Sequence, residues 1–163
     1  MVACLSIPVF ALRAALRGRP ELRRRPVALA PEPGAQPLVG ACNAVAEGEG
    51  IRAGMRLSEA LATCPGLVLV EADEAGAEEA WEAVLRRLEG AGFAVEAAHE
   101  GCVYFETKGL ERLAGGLEAA LRRALEAVGS EWQPRIGAGT RRFTALAAAT
   151  VAPPNRILVV DDD

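Results

Sequence analysis

Aromatic side chains are scarce in this sequence, at 4% of 163 residues, so a core has to be built from Ala, Leu and Val. No run of about 18 apolar residues is present, which excludes a membrane-spanning helix. The start, Met1-Val-Ala-Cys-Leu-Ser-Ile-Pro8, is apolar but has neither a basic leader nor a small-residue cleavage site. It reads as a buried first strand rather than an export signal. The four cysteines, Cys4, Cys42, Cys64 and Cys102, are widely spaced with no C-x-x-C pair. That spacing fits neither a zinc site nor a disulfide framework; it implies reduced, buried thiols in a cytoplasmic protein. Positive charge is lacking overall: 18 Lys and Arg against 22 Asp and Glu leave −4. No global field advertises a nucleic-acid partner.

What is present describes a globular chain. Just over half of the residues, 51%, are hydrophobic and 25% are charged, far too apolar for disorder. The length suits one core, or one core plus a small lobe.

Local patterns predict strands over Val2 to Ile7, Pro26 to Ala30, Leu38 to Cys42 and Leu67 to Val70. Further strands are predicted over Val95 to Ala98, Cys102 to Thr107, Arg135 to Ala138 and Ile157 to Val160. Phe10 to Leu16 suits a short helix. Leu57, Ala60, Leu61 and Cys64 share one helical face, and Trp81, Val84, Leu85 and Leu88 share another. Leu117, Leu121, Leu125 and Val128 mark a third, and Thr140 is a candidate N-cap for a helix running to about Thr150. Pro31 to Pro37 has loop composition. The irregular alternation predicts an α+β fold, a mixed sheet with helices packed on one face.

Five stretches, in order and in register, resemble the Y-family lesion-bypass DNA polymerases. Leu5-Ser-Ile-Pro-Val-Phe-Ala11 is similar to the family's first palm strand, I-D-x-D-x-F-[YF]. Arg19-Pro-Glu-Leu-Arg-Arg-Arg-Pro-Val-Ala28 resembles N-P-x-L-[RK]-x-x-P-[VI]-A. Cys42-Asn-Ala-Val-Ala-Glu-Gly-Glu-Gly-Ile51 follows A-N-Y-x-A-R-x-x-G-[VI]. Val95-Glu-Ala-Ala-His-Glu-Gly-Cys-Val-Tyr-Phe-Glu106 runs in step with [IV]-E-x-x-S-x-D-E-A-Y-L-D. Arg142-Phe-Thr-Ala-Leu-Ala-Ala-Ala149 with Pro154-Asn155 looks like K-F-x-A-K-x-A-S followed by K-P-N. The resemblance implies a palm-like subdomain over 1–11 and 67–163 and a fingers-like subdomain over 12–66. Thumb and little-finger parts are expected to be absent.

The same resemblance implies an emptied active site. Nucleotidyl transfer in this family uses two Mg²⁺ ions held by carboxylates. The positions of those carboxylates fall on Ser6, Gly101 and Cys102, none of which is a hard anionic ligand, so neither a metal nor a cofactor is expected. The nucleotide-gripping positions fall on Ala11, Ala44, Glu47 and Leu146, of which Glu47 reverses a charge. A gapped alternative would bring His99-Glu100 onto the acidic pair, at the expense of the matches at Glu96, Tyr104 and Glu106.

A kept scaffold with an emptied site is similar to the ImuB branch of the family. That likeness implies a non-catalytic adaptor in error-prone bypass, whose partners are an error-prone polymerase, an accessory protein and the sliding clamp. Two rivals stand beside it: a palm-fingers fragment of an active polymerase, and an interaction module with no DNA role. Arg13, Arg17, Arg19, Arg23, Arg24 and Arg25, less Glu21, give 6 − 1 = +5 over residues 11–30. This dense basic stretch is a candidate for weak contact with DNA phosphates. Its bland alternative is a solvated surface. Gly137-Ala-Gly139 ahead of a helix reads as a turn pair more readily than as a phosphate cradle, and Trp132 as packing more readily than as a contact.

Overall fold

The computed structural model of the protein describes residues 1–161. In chain order, strand β1 (Val2–Ser6) is followed by α1 (Phe10–Ala15), β2 (Val27–Leu29), α2 (Ala44–Gly48), α3 (Leu57–Thr63) and β3 (Val68–Val70). Next come α4 (Glu74–Gly90), β4 (Val95–His99), β5 (Cys102–Glu106), α5 (Leu110–Ala114) and α6 (Leu117–Val128). The series ends with β6 (Arg135–Gly139), α7 (Arg142–Val151) and β7 (Ile157–Val159).

The chain divides into two compact units. One comprises Met1–Pro8 and the chain from Glu79 onward; the other is Val9–Glu78. Strand β3 pairs in parallel with β2 as Val27↔Val68 to Leu29↔Val70 and so stays with the second unit. Val9, the first residue of that unit, holds a left-handed φ of 51°, an uncommon conformation for a β-branched side chain.

The first unit is built on a five-stranded sheet of order β4-β5-β1-β6-β7. Three of its pairings are antiparallel, and β6 with β7 is parallel. This is the mixed sheet of the α+β expectation. Central β1 takes hydrogen bonds from both sides, which suits its short, apolar sequence. Period two sends Ala3 and Leu5 to one face and Cys4 and Ser6 to the other. Leu5, Val103, Phe105 and Ile136 are buried on the first face, where Phe105 meets Phe93 with ring centroids 4.9 Å apart. The second face carries α7. Gly137 makes that possible: a Cβ there would lie 2.1 Å from the Ala145 carbonyl oxygen and 2.2 Å from the Ala149 amide nitrogen. Ala145, Ala148 and Ala149 form the buried side of α7, so small residues on both partners let backbone meet backbone.

Several local readings change. Leu38 and Cys42 make only isolated bridges, to Arg56 and Ala28, instead of forming a strand. In α6 the buried stripe is Ala120, Leu121, Ala124 and Val128, rotated from the leucine stripe because the alanines face inward. In α3, Ala60 is buried, as is Cys64 just after the helix, while Leu61 is 39% exposed. The N-cap of α7 is Arg141, not Thr140. Gly137 and Gly139 lie within β6, where they admit the helix instead of forming a turn or phosphate loop. Trp132 is buried and serves packing.

The second unit has two apolar clusters. One joins Leu12, Leu22, Val27 and Val70. The other gathers Ala28, Val39, Ile51, Ala60 and Cys64, among others. Asn43 connects the local backbone: its Oδ1 accepts from Ala46 N–H at the start of α2 and from Val27 N–H, and its Nδ2 donates to Arg25 C=O. One side chain thereby caps a helix and anchors a strand.

Gly137→Ala is expected to destabilise the protein by at least about 2 kcal/mol in urea unfolding, because the neighbours that would have to yield are backbone atoms. Gly90→Ala, at the end of α4 with nothing within 4 Å, should change stability by less than about 1 kcal/mol.

Candidate functional site: the palm centre

The register across the sheet decides what meets at the centre. Ser6 stands opposite Cys102 on β5 and opposite Arg135 on β6. His99 pairs with Cys102 from the outer side. The row therefore reads His99, Cys102, Ser6, Arg135. Gly101 is adjacent, its C=O accepting from Ile7 N–H at 2.7 Å. So Ser6 and Cys102 come together on the face opposite Leu5 and Val103, with Gly101 beside them in the connection. His99 lies one strand farther from Ser6, and Glu100 sits in the two-residue connection. Gly101 turns that connection with φ 83°, a conformation that strains most side chains, with Asn and Asp the more tolerant.

The arrangement also joins a pair that sequence reasoning kept apart. Cys4 and Cys102 are diagonal neighbours, with Sγ atoms 3.7 Å apart. The two thiols are within hydrogen-bonding reach, and either can donate. The contact with Cys4 pulls the Cys102 thiol below its ordinary range against the opposing effect of burial, and nearby His99 and Tyr104 act in the same downward sense. Cys4 is pushed up by the same contact and by burial. Period two was the available signal: positions 4 and 6 share a face, and so do 102 and 104.

Above Tyr104, Arg142 forms a bridge. Its guanidinium carbon lies 5.1 Å from the ring centroid, a cation–π contact. The same guanidinium donates to both carboxylate oxygens of Glu96, Nη1 to Oε1 at 2.8 Å and Nη2 to Oε2. The N-terminus of α7 is thus tied to β4 and β5. Arg135 donates to the Thr150 carbonyl at 3.4 Å, while its Nε is buried without a hydrogen-bond partner.

The remaining expected positions fall in both units. Leu146 lies on the outer side of α7, 38% exposed, next to Phe143 at 80%. In the second unit Ala44 and Glu47 are exposed on α2, and Ala11 is half-buried on α1. Of the basic residues, Arg13 is half-buried within α1, Arg17 donates to the Gly76 carbonyl and Arg19 pairs with Glu21 at 3.8 Å. Arg23, Arg24 and Arg25 are exposed, following a 3₁₀ turn, Pro20–Leu22.

A family model described as impB/mucB/samB matches residues 5–150. The chain belongs to that family. Solved structures agree on the impB/mucB/samB fold. A post-insertion binary complex of Dbh DNA polymerase superposes with a TM-score of 0.85 at 18% identity, covering 98% of this chain and 48% of that one. DinB from Sulfolobus solfataricus gives a TM-score of 0.82 at 17% identity, with the same two coverages, 98% and 48%. An insertion ternary complex of Dbh DNA polymerase gives 0.81 at 17%, again covering 98% and 48%. This impB/mucB/samB chain thus spans about half the length of those polymerases and has a Y-family, palm-like fold. A search of curated proteins yields no match.

The donor set does not fit a hard cation. A hydroxyl at Ser6, no side chain at Gly101 and a thiol at Cys102 cannot hold Mg²⁺ against water. Among the described residues no group of three or more His, Cys, Asp or Glu could hold a metal ion.

The Arg142 guanidinium, donating to Glu96, holds that carboxyl below the usual carboxylate range. A depressed value means that the pair stabilises the fold above the unfolded carboxylate pKa and is lost as pH falls through the folded one. In Arg142→Ala, the Glu96 carboxyl followed by ¹³C NMR should titrate at higher pH, within the ordinary range. An unchanged titration would show that the bridge does not persist in solution.

Proposed function

We propose that this chain is a non-catalytic lesion-bypass polymerase homologue, acting as an adaptor in error-prone DNA synthesis as in the ImuB branch. Its first unit corresponds to a palm and its second to fingers. The observation that carries the reading is the palm centre itself: a hydroxyl faces a thiol across β1 and β5, in a family whose nucleotidyl transfer needs carboxylates there. Loss of metal ligands removes both activation of a primer 3′-hydroxyl and neutralisation of a triphosphate. The nucleotide-contact positions are altered in the same direction, with apolar Leu146 and anionic Glu47 exposed. Function then rests on surfaces: protein partners of the bypass machinery, namely an error-prone polymerase, an accessory protein and the sliding clamp, and weak DNA contact. A cytoplasmic location accords with this role. No helix among the described residues is long and apolar enough to cross a membrane.

Two experiments test the reading. Primer extension with deoxynucleotides and Mg²⁺ or Mn²⁺ should show no product above buffer background. Metal-dependent extension that persists after contaminating polymerases are removed would establish an active fragment instead.

DNA contact is tested through salt. Arg23, Arg24 and Arg25 should give weak, sequence-blind binding to primed or single-stranded DNA that falls steeply with ionic strength. Replacing all three with Gln should reduce the log–log salt slope by roughly one unit per lost phosphate contact. No binding at low salt would favour an interaction module without a DNA role.

A further inference from the structure

Cys4 and Cys102 are 98 residues apart in the chain, yet their Sγ atoms are 3.7 Å apart. The β1–β5 register produces this: Cys4 faces Tyr104 and Cys102 faces Ser6, on one side of the sheet. Both are free thiols, 0% and 3% exposed, with Ala145 and Ala149 of α7 in the same cluster. Sulfur atoms already in van der Waals contact need only modest side-chain and strand adjustment to reach the disulfide length of about 2.05 Å. Cys102 is also well placed for a small reagent to reach. It is the first residue of β5, directly after the Glu100-Gly101 connection, and it faces the last residue of β1. Strand ends open more readily than strand centres.

We propose that Cys4 and Cys102 form a dithiol modification site that closes to an intramolecular disulfide under hydrogen peroxide, stapling β1 to β5. Cys102 reacts first, because it lies at the strand end and its contact with Cys4 favours its thiolate. The Cys102 sulfur attacks one peroxide oxygen, the O–O bond breaks, one water leaves and Cys102 carries a sulfenic acid. The Cys4 sulfur then attacks the Cys102 sulfur. The S–O bond breaks, the S–S bond forms and a second water departs with the Cys4 proton. Two thiols and one hydrogen peroxide thus give one disulfide and two waters. The two sulfurs together lose two electrons, and the two peroxide oxygens gain them. The proposal is independent of the adaptor reading, since a chain found to extend primers would carry the same dithiol.

The test uses the intact, reduced chain. It is exposed to hydrogen peroxide, quenched with catalase, unfolded and alkylated with N-ethylmaleimide, then analysed by intact mass and peptide mapping. Two of the four thiols should be lost, with the Cys4 and Cys102 peptides joined and Cys42 and Cys64 fully alkylated. Dithiothreitol should restore all four. In Cys4→Ser, whose hydroxyl can still donate to the Cys102 sulfur, Cys102 should instead gain oxygen as a dimedone-reactive sulfenic acid; in Cys4→Ala, which leaves it no such donor, the same sulfenic acid should form more slowly. Four alkylated thiols after a treatment that oxidises glutathione in the same tube would overturn the proposal. So would a cross-link through Cys42 or Cys64, or one that forms only when urea is added before the peroxide.

Discussion

The pairing register of β1 is the constraint on which the rest of the first unit depends. This strand is held on both sides, by β5 and by β6, and its five residues are in register with both partners. A slip of one residue would exchange the faces of Leu5 and Cys4, driving a leucine against the alanines of α7 and reversing every side chain at once. Burial of Leu5, Val103 and Ile136 on one face resists such a slip. The same register dictates which side chains meet on the other face, whatever those side chains are.

That separation lets the fold tolerate changes at the palm centre. Residues on the core face determine whether the sheet forms, and those beside them, turned the other way, determine whether a metal binds. Ser6 lies between buried Leu5 and Ile7, and Cys102 precedes buried Val103. Changing an acid to a hydroxyl or a thiol on the site face leaves the apolar alternation intact. It also removes the mutual repulsion of clustered carboxylates. The Glu96–Arg142–Tyr104 bridge spans the same face with residues that need no metal to be held in place.

Much of this was legible in the chain because alternation and helical periodicity act locally. Strands β1, β5 and β6, and helices α4 and α7, stand within a residue or two of where their patterns put them. Juxtaposition of Ser6 with Cys102 was legible too, but only through a family resemblance, since no local signal specifies which strands pair. Tertiary context overrode other signals. Leu38 to Cys42 has strand composition but finds only single-residue bridges. Helix α2 hides in a Gly- and Glu-rich stretch and becomes visible once Asn43 is seen to cap it. In α6, leucine spacing pointed to the wrong stripe because alanine carries too little apolar signal to mark a buried face. The glycines of β6 look like turn residues in sequence, and only the approach of α7 explains them.

The two units differ in how the chain visits them, and this bears on how the protein is made. Val9–Glu78 is one continuous segment, so all of its contacts are available once Glu78 has left the ribosome. The other unit begins with β1, whose hydrogen-bonding partners β5 and β6 start only at Cys102 and Arg135. During synthesis from the N-terminus, β1 therefore waits as an unpaired apolar strand while the later unit completes itself behind it. Such a strand is a template for pairing with other chains. The shortness of β1, five residues, limits how much adhesive edge the nascent chain exposes over that interval.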